Sequence, residues 1–233
     1  MIVVDSDFSA LEGTNCYCSD ESAVQIRQAI SGLPLCAVHR IGTGDYHYVS
    51  LFWLERVTEP FTLILFDNHP DDQPTAFSPD TLSCGSWVAE ARRLPLCQDV
   101  IWIRSFSYLR EARPTNLRFA HPTTGCAGGP PVHVATGGHG FPDAPPGEPR
   151  NLTSNVYVSI DLDVLSEEYA RTDWDQGTMT LDELVATIQH LKKSARIVGV
   201  DICGGLTPQK GATDRDLAIN ARTESALVSL FCD

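Results

Sequence analysis

Positive charge is scarce in this sequence. Against 30 Asp and Glu it has 17 Lys and Arg, a formal net charge of −13. Nucleic acid and anionic membrane are thereby disfavoured as partners, because both are engaged through basic patches that displace counterions. Long apolar runs are missing too: none approaches the roughly 18–20 residues that a bilayer-spanning helix requires. The opening MIVVDSDFSALEG has neither the basic n-region nor the apolar h-region of a secretory signal. Internal repeats and low-complexity segments are also absent. The eight cysteines, at 16, 18, 36, 84, 97, 126, 203 and 232, include no C-x-x-C. Cys16 and Cys18 form C-x-C, which matches neither a zinc ribbon nor a thioredoxin motif. We therefore expect reduced, packed thiols and a cytoplasmic protein.

What remains is ordinary globular material. The 233 residues are 42% hydrophobic and 20% charged, enough to bury a substantial core. Apolar β-type runs recur at 2–4, 35–41, 61–66, 99–103, 155–164 and 196–202. Amphipathic helical patterns follow several of them, at 22–33, 48–57, 83–94, 180–193 and 214–231. The segment TLDELVATIQHLKK has the full helix grammar: Thr180 as N-cap, Glu183 three residues on, lysines in the last turn. Continuous apolar strands alternating with such helices predict an α/β three-layer sandwich with a mostly parallel sheet. Residues 105–154 are rich in Pro and Gly and break the rhythm. Because alternation resumes afterwards, they read as a loop excursion from one domain over 1–233, of the kind that covers active sites.

Three segments carry chemistry, each at the end of an apolar run. LFDNHPDDQP offers Asp67, His69 and Asp71 at alternate positions. If extended backbone continues past Phe66, these three point to one side, and Pro70 disfavours helix at His69. VYVSIDLDVL offers Asp161 and Asp163 in the same i, i+2 relation. GTGDYHYVS, also between a strand and a helix, offers Asp45 and His47. In open parallel sheets, ligands collect beyond the carboxyl ends of the strands. Four carboxylates in one crevice would repel and would hold protons. Two divalent cations about 3.5–4 Å apart would cancel that charge and activate a water. The donors are mostly hard oxygen with some nitrogen, which favours Mn²⁺, with Zn²⁺ or Fe²⁺ as the other choices. Each motif alone also fits acids that merely cap a helix or start a turn. Their joint occurrence at strand ends points to metal. Asp72, on the opposite face of an extended chain, reads as a solvated or capping acid.

The order of these motifs resembles the arginase, agmatinase and formiminoglutamase family. GTGDYHYVS resembles its G-G-D-H-S segment, FDNHPD its D-A-H-x-D, SIDLDVL its S-x-D-x-D and GVDICGGLTP its late D-x-x-E-x-x-P, over roughly residues 35–208. The resemblance implies an arginase-like three-layer fold. It also implies His47, Asp67, Asp71 and Asp161 around one Mn²⁺ and Asp67, His69, Asp161 and Asp163 around a second. Asp67 and Asp161 would bridge. A water between the ions would be the nucleophile, with Asp71 as its catalytic hydrogen-bond acceptor. Family members commonly assemble, so a homo-oligomer is implied, with a small molecule as substrate.

The departures bear on substrate. The second Asp-Pro after S-x-D-x-D is absent from SIDLDVLSEE. The family's guanidinium-binding Glu falls on Gly204, which argues against arginine bound in the usual pose. The loop bearing the family's shuttle histidine falls near LSCGSWVAEA, where Ser86 or Trp87 takes the place. His139, in GGHGFP, stands as a candidate acid or base against the plainer reading of a solvated loop histidine. Trp174, Asp175 and Gln176, in RTDWDQGTMT, lie where the family contacts substrate, with Trp174 either a stacking wall or a packed residue. Asp201 is expected behind the ligands, orienting one of them. Cys203 and Cys84 are expected near the crevice as packing residues. Hydrolysis of a C–N bond in an amide, amidine, guanidino or ureide compound is the reading reached. Its rivals are a deacetylase-like single-metal enzyme and a non-catalytic metal-containing binding protein.

Overall fold

The computed structural model describes residues 1–74, 81–104 and 151–232, together with the backbone of 118–119. Six strands form one sheet in the order β1-β3-β10-β9-β4-β6. They are β1 (Ile2–Asp5), β3 (Ala37–Gly42), β4 (Phe61–Phe66), β6 (Cys97–Ile103), β9 (Asn155–Asp161) and β10 (Arg196–Cys203). Every pairing in this sheet is parallel. Two short pairs lie outside it: β2 (Tyr17–Cys18) with β5 (Leu82–Ser83), antiparallel, and β7 (Arg118–Phe119) with β8 (Asn151–Leu152), parallel.

Side-chain alternation along the central strands builds two separate cores, one on each face of the sheet. Phe61, Leu63 and Leu65 of β4 and Tyr157 of β9 pack with Ile26, Phe52, Trp53, Trp87 and Val88. These come from helices Asp20–Ile30, Val49–Leu54 and Trp87–Ala91. Ile64 and Phe66 of β4, with Val156, Val158 and Ile160 of β9, face the other way. They meet Leu184, Ile188, Leu227 and Phe231, from helices Leu181–Ser194 and Asp214–Cys232. The result is the expected three layers.

Helix Leu181–Ser194 begins where its sequence places the start. Thr180 Oγ1 accepts the Glu183 N–H while the Glu183 side chain reaches back to the Thr180 N–H, a complete capping box. Several expected elements are shorter than their patterns, helix Val49–Leu54 among them. The apolar run 155–164 leaves the sheet at Asp161, and Leu162–Val164 form a 3-10 turn because Asp161 caps it by accepting the Asp163 N–H. The run 83–94 is helical only over Trp87–Ala91. Except at 118–119 and 151–154, the expected excursion at 105–154 lies outside the described residues, as does the candidate His139.

Candidate metal centre

Three strand ends meet at the carboxyl edge of the sheet. Beyond β3 the chain makes a 3-10 turn, Gly44–Tyr46, and His47 caps it just before helix Val49–Leu54. A Cβ at Gly44 would crowd the site, lying 2.9 Å from Trp174 Cδ1 and 3.2 Å from Asp161 Oδ2. Beyond β4 come Asp67, His69 and Asp71; beyond β9 come Asp161 and Asp163. These side chains converge. His47 Nδ1 lies 3.1 Å from Asp67 Oδ2, 3.0 Å from Asp71 Oδ2 and 3.5 Å from Asp161 Oδ2. His69 Nδ1 lies 2.7 Å from Asp163 Oδ2 and 3.7 Å from Asp67 Oδ1. Donor atoms of His47, Asp67 and Asp71 fall within 4.8 Å of one another, as do those of Asp67, His69 and Asp163. Asp67 belongs to both groups.

The route to this convergence differs from the expected one. Extended alternation does not continue past Phe66, where β4 ends. Instead the segment folds back on itself. Asp67 Oδ1 accepts the His69 N–H at 2.6 Å, and Asp163 Oδ1 accepts the Asn68 N–H at 2.9 Å. Asp71 adopts a left-handed φ of 46°. Asp and Asn tolerate that region better than most residues. Its carboxylate is then fixed by the Trp87 indole, which donates to Oδ2 at 2.8 Å. Asp72 turns away into a surface hollow with Gln73 and Arg93.

The electrostatics are those of a crowded acid site. Burial, followed by the charges of Asp71 and Asp163, pushes Asp67 well above the usual carboxylate range. Burial and Asp163 raise Asp161 to about 7. Burial opposes charging of His47, yet Cys203, Asp67 and Asp71 outweigh it and raise its pKa. The bond to Asp163 raises His69. Protons thus stand in for missing positive charge.

The residues present fit cations. The Ser159 hydroxyl donates to Asp201 Oδ1 at 2.6 Å, so its oxygen accepts from His47 Nε2 at 2.8 Å. This fixes the tautomer and leaves a lone pair on Nδ1. That nitrogen is fully buried, has no hydrogen-bond partner, and faces three carboxylates. A lone pair aimed at anionic oxygens is repulsive unless a proton or a cation lies between them. Asp201 acts on His47 through Ser159, as expected of a residue behind the ligands.

A cavity of about 210 Å³ opens over the cluster, bordered by Asp67, His69, Asp71, Cys84 and Trp174 among others. Trp174 is held over it: its indole donates to Asp45 Oδ1 at 3.1 Å and its ring lies 6.0 Å edge-on from His69. Asp45 is itself paired with Lys210, which also reaches Asp173. Other expected substrate contacts lie elsewhere. The Asp175 carbonyl accepts from the Asn68 amide, and Gln176 donates to the Leu165 and Ala170 carbonyls. Ser86 Oγ bonds Ser83. Gly204 backs onto Asp161, where a Cβ would lie 2.1 Å from Oδ1. Lys210 and Trp87 were not singled out for these roles from sequence. Lys210 is far from the motifs in the chain, and the Trp87 indole carries no metal-donor signature.

The same architecture occurs in solved structures. Arginase from Medicago truncatula superposes with a TM-score of 0.57 at 18% identity, over 91% of this chain and 65% of that one. Proclavaminate amidino hydrolase from Streptomyces clavuligerus gives 0.55 at 16%, over 91% and 68%. Formimidoylglutamase from Bacillus subtilis gives 0.55 at 14%, over 91% and 66%. The fold is the arginase/ureohydrolase fold. In sequence, an uncharacterized protein of Thermotoga maritima is 26% identical over 170 residues, 72% of this chain. The match spans 58% of that protein's length. No protein-family model matches. Within the arginase-like fold, the cluster occupies the carboxyl edge of the sheet, where Ser159, Trp87 and the Lys210–Asp45 pair support it.

Proposed function

We propose that the chain is a dinuclear metal-dependent hydrolase that breaks a C–N bond in a small amide, amidine, guanidino or ureide compound. The observation that carries this reading is the buried His47 Nδ1, partnerless and facing Asp67, Asp71 and Asp161, beside a second group built on His69 and Asp163. His47, Asp67, Asp71 and Asp161 would hold one cation and Asp67, His69, Asp161 and Asp163 the other. The oxygen-rich donor set suits Mn²⁺. Divalent cations at such a site supply Lewis acidity and bring the pKa of water near neutrality.

The chain's own residues do the rest. Asp71 borders the cavity, held by Trp87, and is assigned as acceptor of the proton from the attacking water. Asp201, through Ser159, keeps the His47 ring in one orientation. Trp174 and Pro70 give the cavity apolar walls, and its small volume limits the substrate. Gly204 leaves no room for a carboxylate, so a guanidinium would have no anionic partner from that position. This supports a neutral or small substrate over arginine in the usual pose. The rival with a single metal loses ground because His47 sits inside the cluster.

Elemental analysis after loading with Mn²⁺ is expected to find two ions per chain, and one in His47→Ala together with loss of hydrolysis. A single ion in the wild type would remove the dinuclear reading. Release of urea from arginine at ordinary rates would remove the substrate restriction.

A further inference from the structure

Cys203 is the last residue of β10, the strand between β3 and β9. It is paired in register with Asp161 on one side and Gly42 on the other. It therefore stands between the strand end carrying Asp161 and the turn carrying His47. A buried cysteine is most often a small apolar filler, but the surroundings of this sulfur are polar. Sγ lies 3.2 Å from Asp161 Oδ2. One donor atom each from Cys203, His47 and Asp161 lies within 4.8 Å of the others, and all three residues are buried. The partnerless Nδ1 of His47 belongs to this same group. Gly204 follows at φ 99°, turning the chain away so that no side chain intrudes between Cys203 and Asp161.

We propose that Cys203 is a sulfur ligand of the cluster, forming a His47–Asp161–Cys203 set that makes the His47 side of the centre selective for a thiophilic divalent cation such as Zn²⁺ or Fe²⁺. The inference rests on the cluster being a metal centre and adds a donor that the oxygen-rich motifs do not contain. Thiolate ligands select softer ions than carboxylate and water do. On binding, the S–H bond breaks, its proton leaves to solvent, and the sulfur lone pair bonds the cation. The Asp161 oxygen that accepted the S–H is released toward the same cation. The His69–Asp163 side has no sulfur within reach among the described residues and keeps its hard-ion character.

The test is a Co²⁺ titration of the full chain followed by absorption spectroscopy. Visible ligand-field bands report uptake at any site, and a near-ultraviolet thiolate-to-cobalt charge-transfer band reports sulfur ligation. Both are expected in the wild type. Cys203→Ser is expected to keep the visible bands and lose the near-ultraviolet band. Losing an outer partner alone costs about 10–100-fold in affinity, so the Zn²⁺ over Mn²⁺ preference should fall by at least about tenfold. Visible bands without the charge-transfer band in the wild type would overturn the sulfur ligand while leaving the metal centre standing. A charge-transfer band that survives in Cys203→Ser would also overturn it, assigning the sulfur to another cysteine such as Cys84. No Co²⁺ uptake at all would remove the metal centre itself. Where Cys203→Ser folds poorly, Cys84→Ser decides: a band that survives there supports Cys203, and a band that vanishes overturns it.

Discussion

Replacing Asp67 by Asn should make the metal-free protein more stable and the metal-loaded protein less so. Asp67 is 1% exposed and shares donor-atom groups with Asp71 and with Asp163, each within 4.8 Å. At about 5 Å and an effective dielectric near 20, each carboxylate pair repels by about 3 kcal/mol. Protons taken up by the crowded acids and by His69 offset most of this, leaving about 1–3 kcal/mol to be relieved. The amide keeps the Oδ1 that accepts the His69 N–H. Its NH₂ falls 3.1 Å from the partnerless His47 Nδ1 and gives that nitrogen a donor. For a chain of this size 1 kcal/mol corresponds to about 2–4 °C in Tm, so metal-free Asp67→Asn should melt about 2–12 °C above metal-free wild type. With Mn²⁺ at about 100 times its Kd, the wild type should gain about 2.7 kcal/mol, whereas the variant, short of a shared anionic ligand, should gain little. Thermal unfolding by circular dichroism, with chelator and with Mn²⁺, reads all four states. A metal-free variant less stable than wild type, or equal Mn²⁺ shifts in both proteins, would rule out carboxylate crowding at Asp67.

Three further outcomes follow from individual contacts. Gly204→Ala forces a Cβ to within 2.1 Å of Asp161 Oδ1 at a φ of 99°; elemental analysis should show lost metal, and left-handed strain alone should cost about 1–2 kcal/mol in urea unfolding. Trp87→Phe removes the indole donor to Asp71 Oδ2 while filling most of its volume. A buried hydrogen bond to a charged group is worth about 1.5–3 kcal/mol, so Mn²⁺ affinity should weaken roughly tenfold or more, and unchanged affinity by calorimetry would refute the role. His39, fully buried, has its pKa lowered from 6.5 to about 4 by burial and then by Arg56. The unfolded chain therefore binds the extra proton first: the stability is fully present above pH 6.5 and is lost as pH falls toward 4. The difference between wild type and His39→Phe in urea unfolding should change by about 3 kcal/mol across that window.

The fold was largely legible because its signals are local. Val156, Val158 and Ile160 read as strand, and Thr180 with Glu183 reads as a helix start, whatever surrounds them. The clustered acids and imidazole were legible for the same reason: Asp67, His69, Asp71, Asp161 and Asp163 follow apolar runs at short spacings. The manner in which they meet was not. Alternation along an extended strand brings the same residues together by a different geometry from the one observed, because Asp71 reaches the cluster through a left-handed turn and Asp163 through a 3-10 turn capped by Asp161.

Hydrophobic period and donor type are properties of short segments, so the three-layer parallel architecture and the candidate acids and imidazoles can be read along the chain. What stands behind and beside them depends on packing between distant segments. Register across β9 and β10 puts Ser159 on His47 and Cys203 against Asp161. The packing of helix Trp87–Ala91 delivers an indole to Asp71, and the Lys210–Asp45 pair steadies Trp174 at the cavity. These contacts join residues up to 165 positions apart, and they arise from which strands lie side by side rather than from any pattern along the chain.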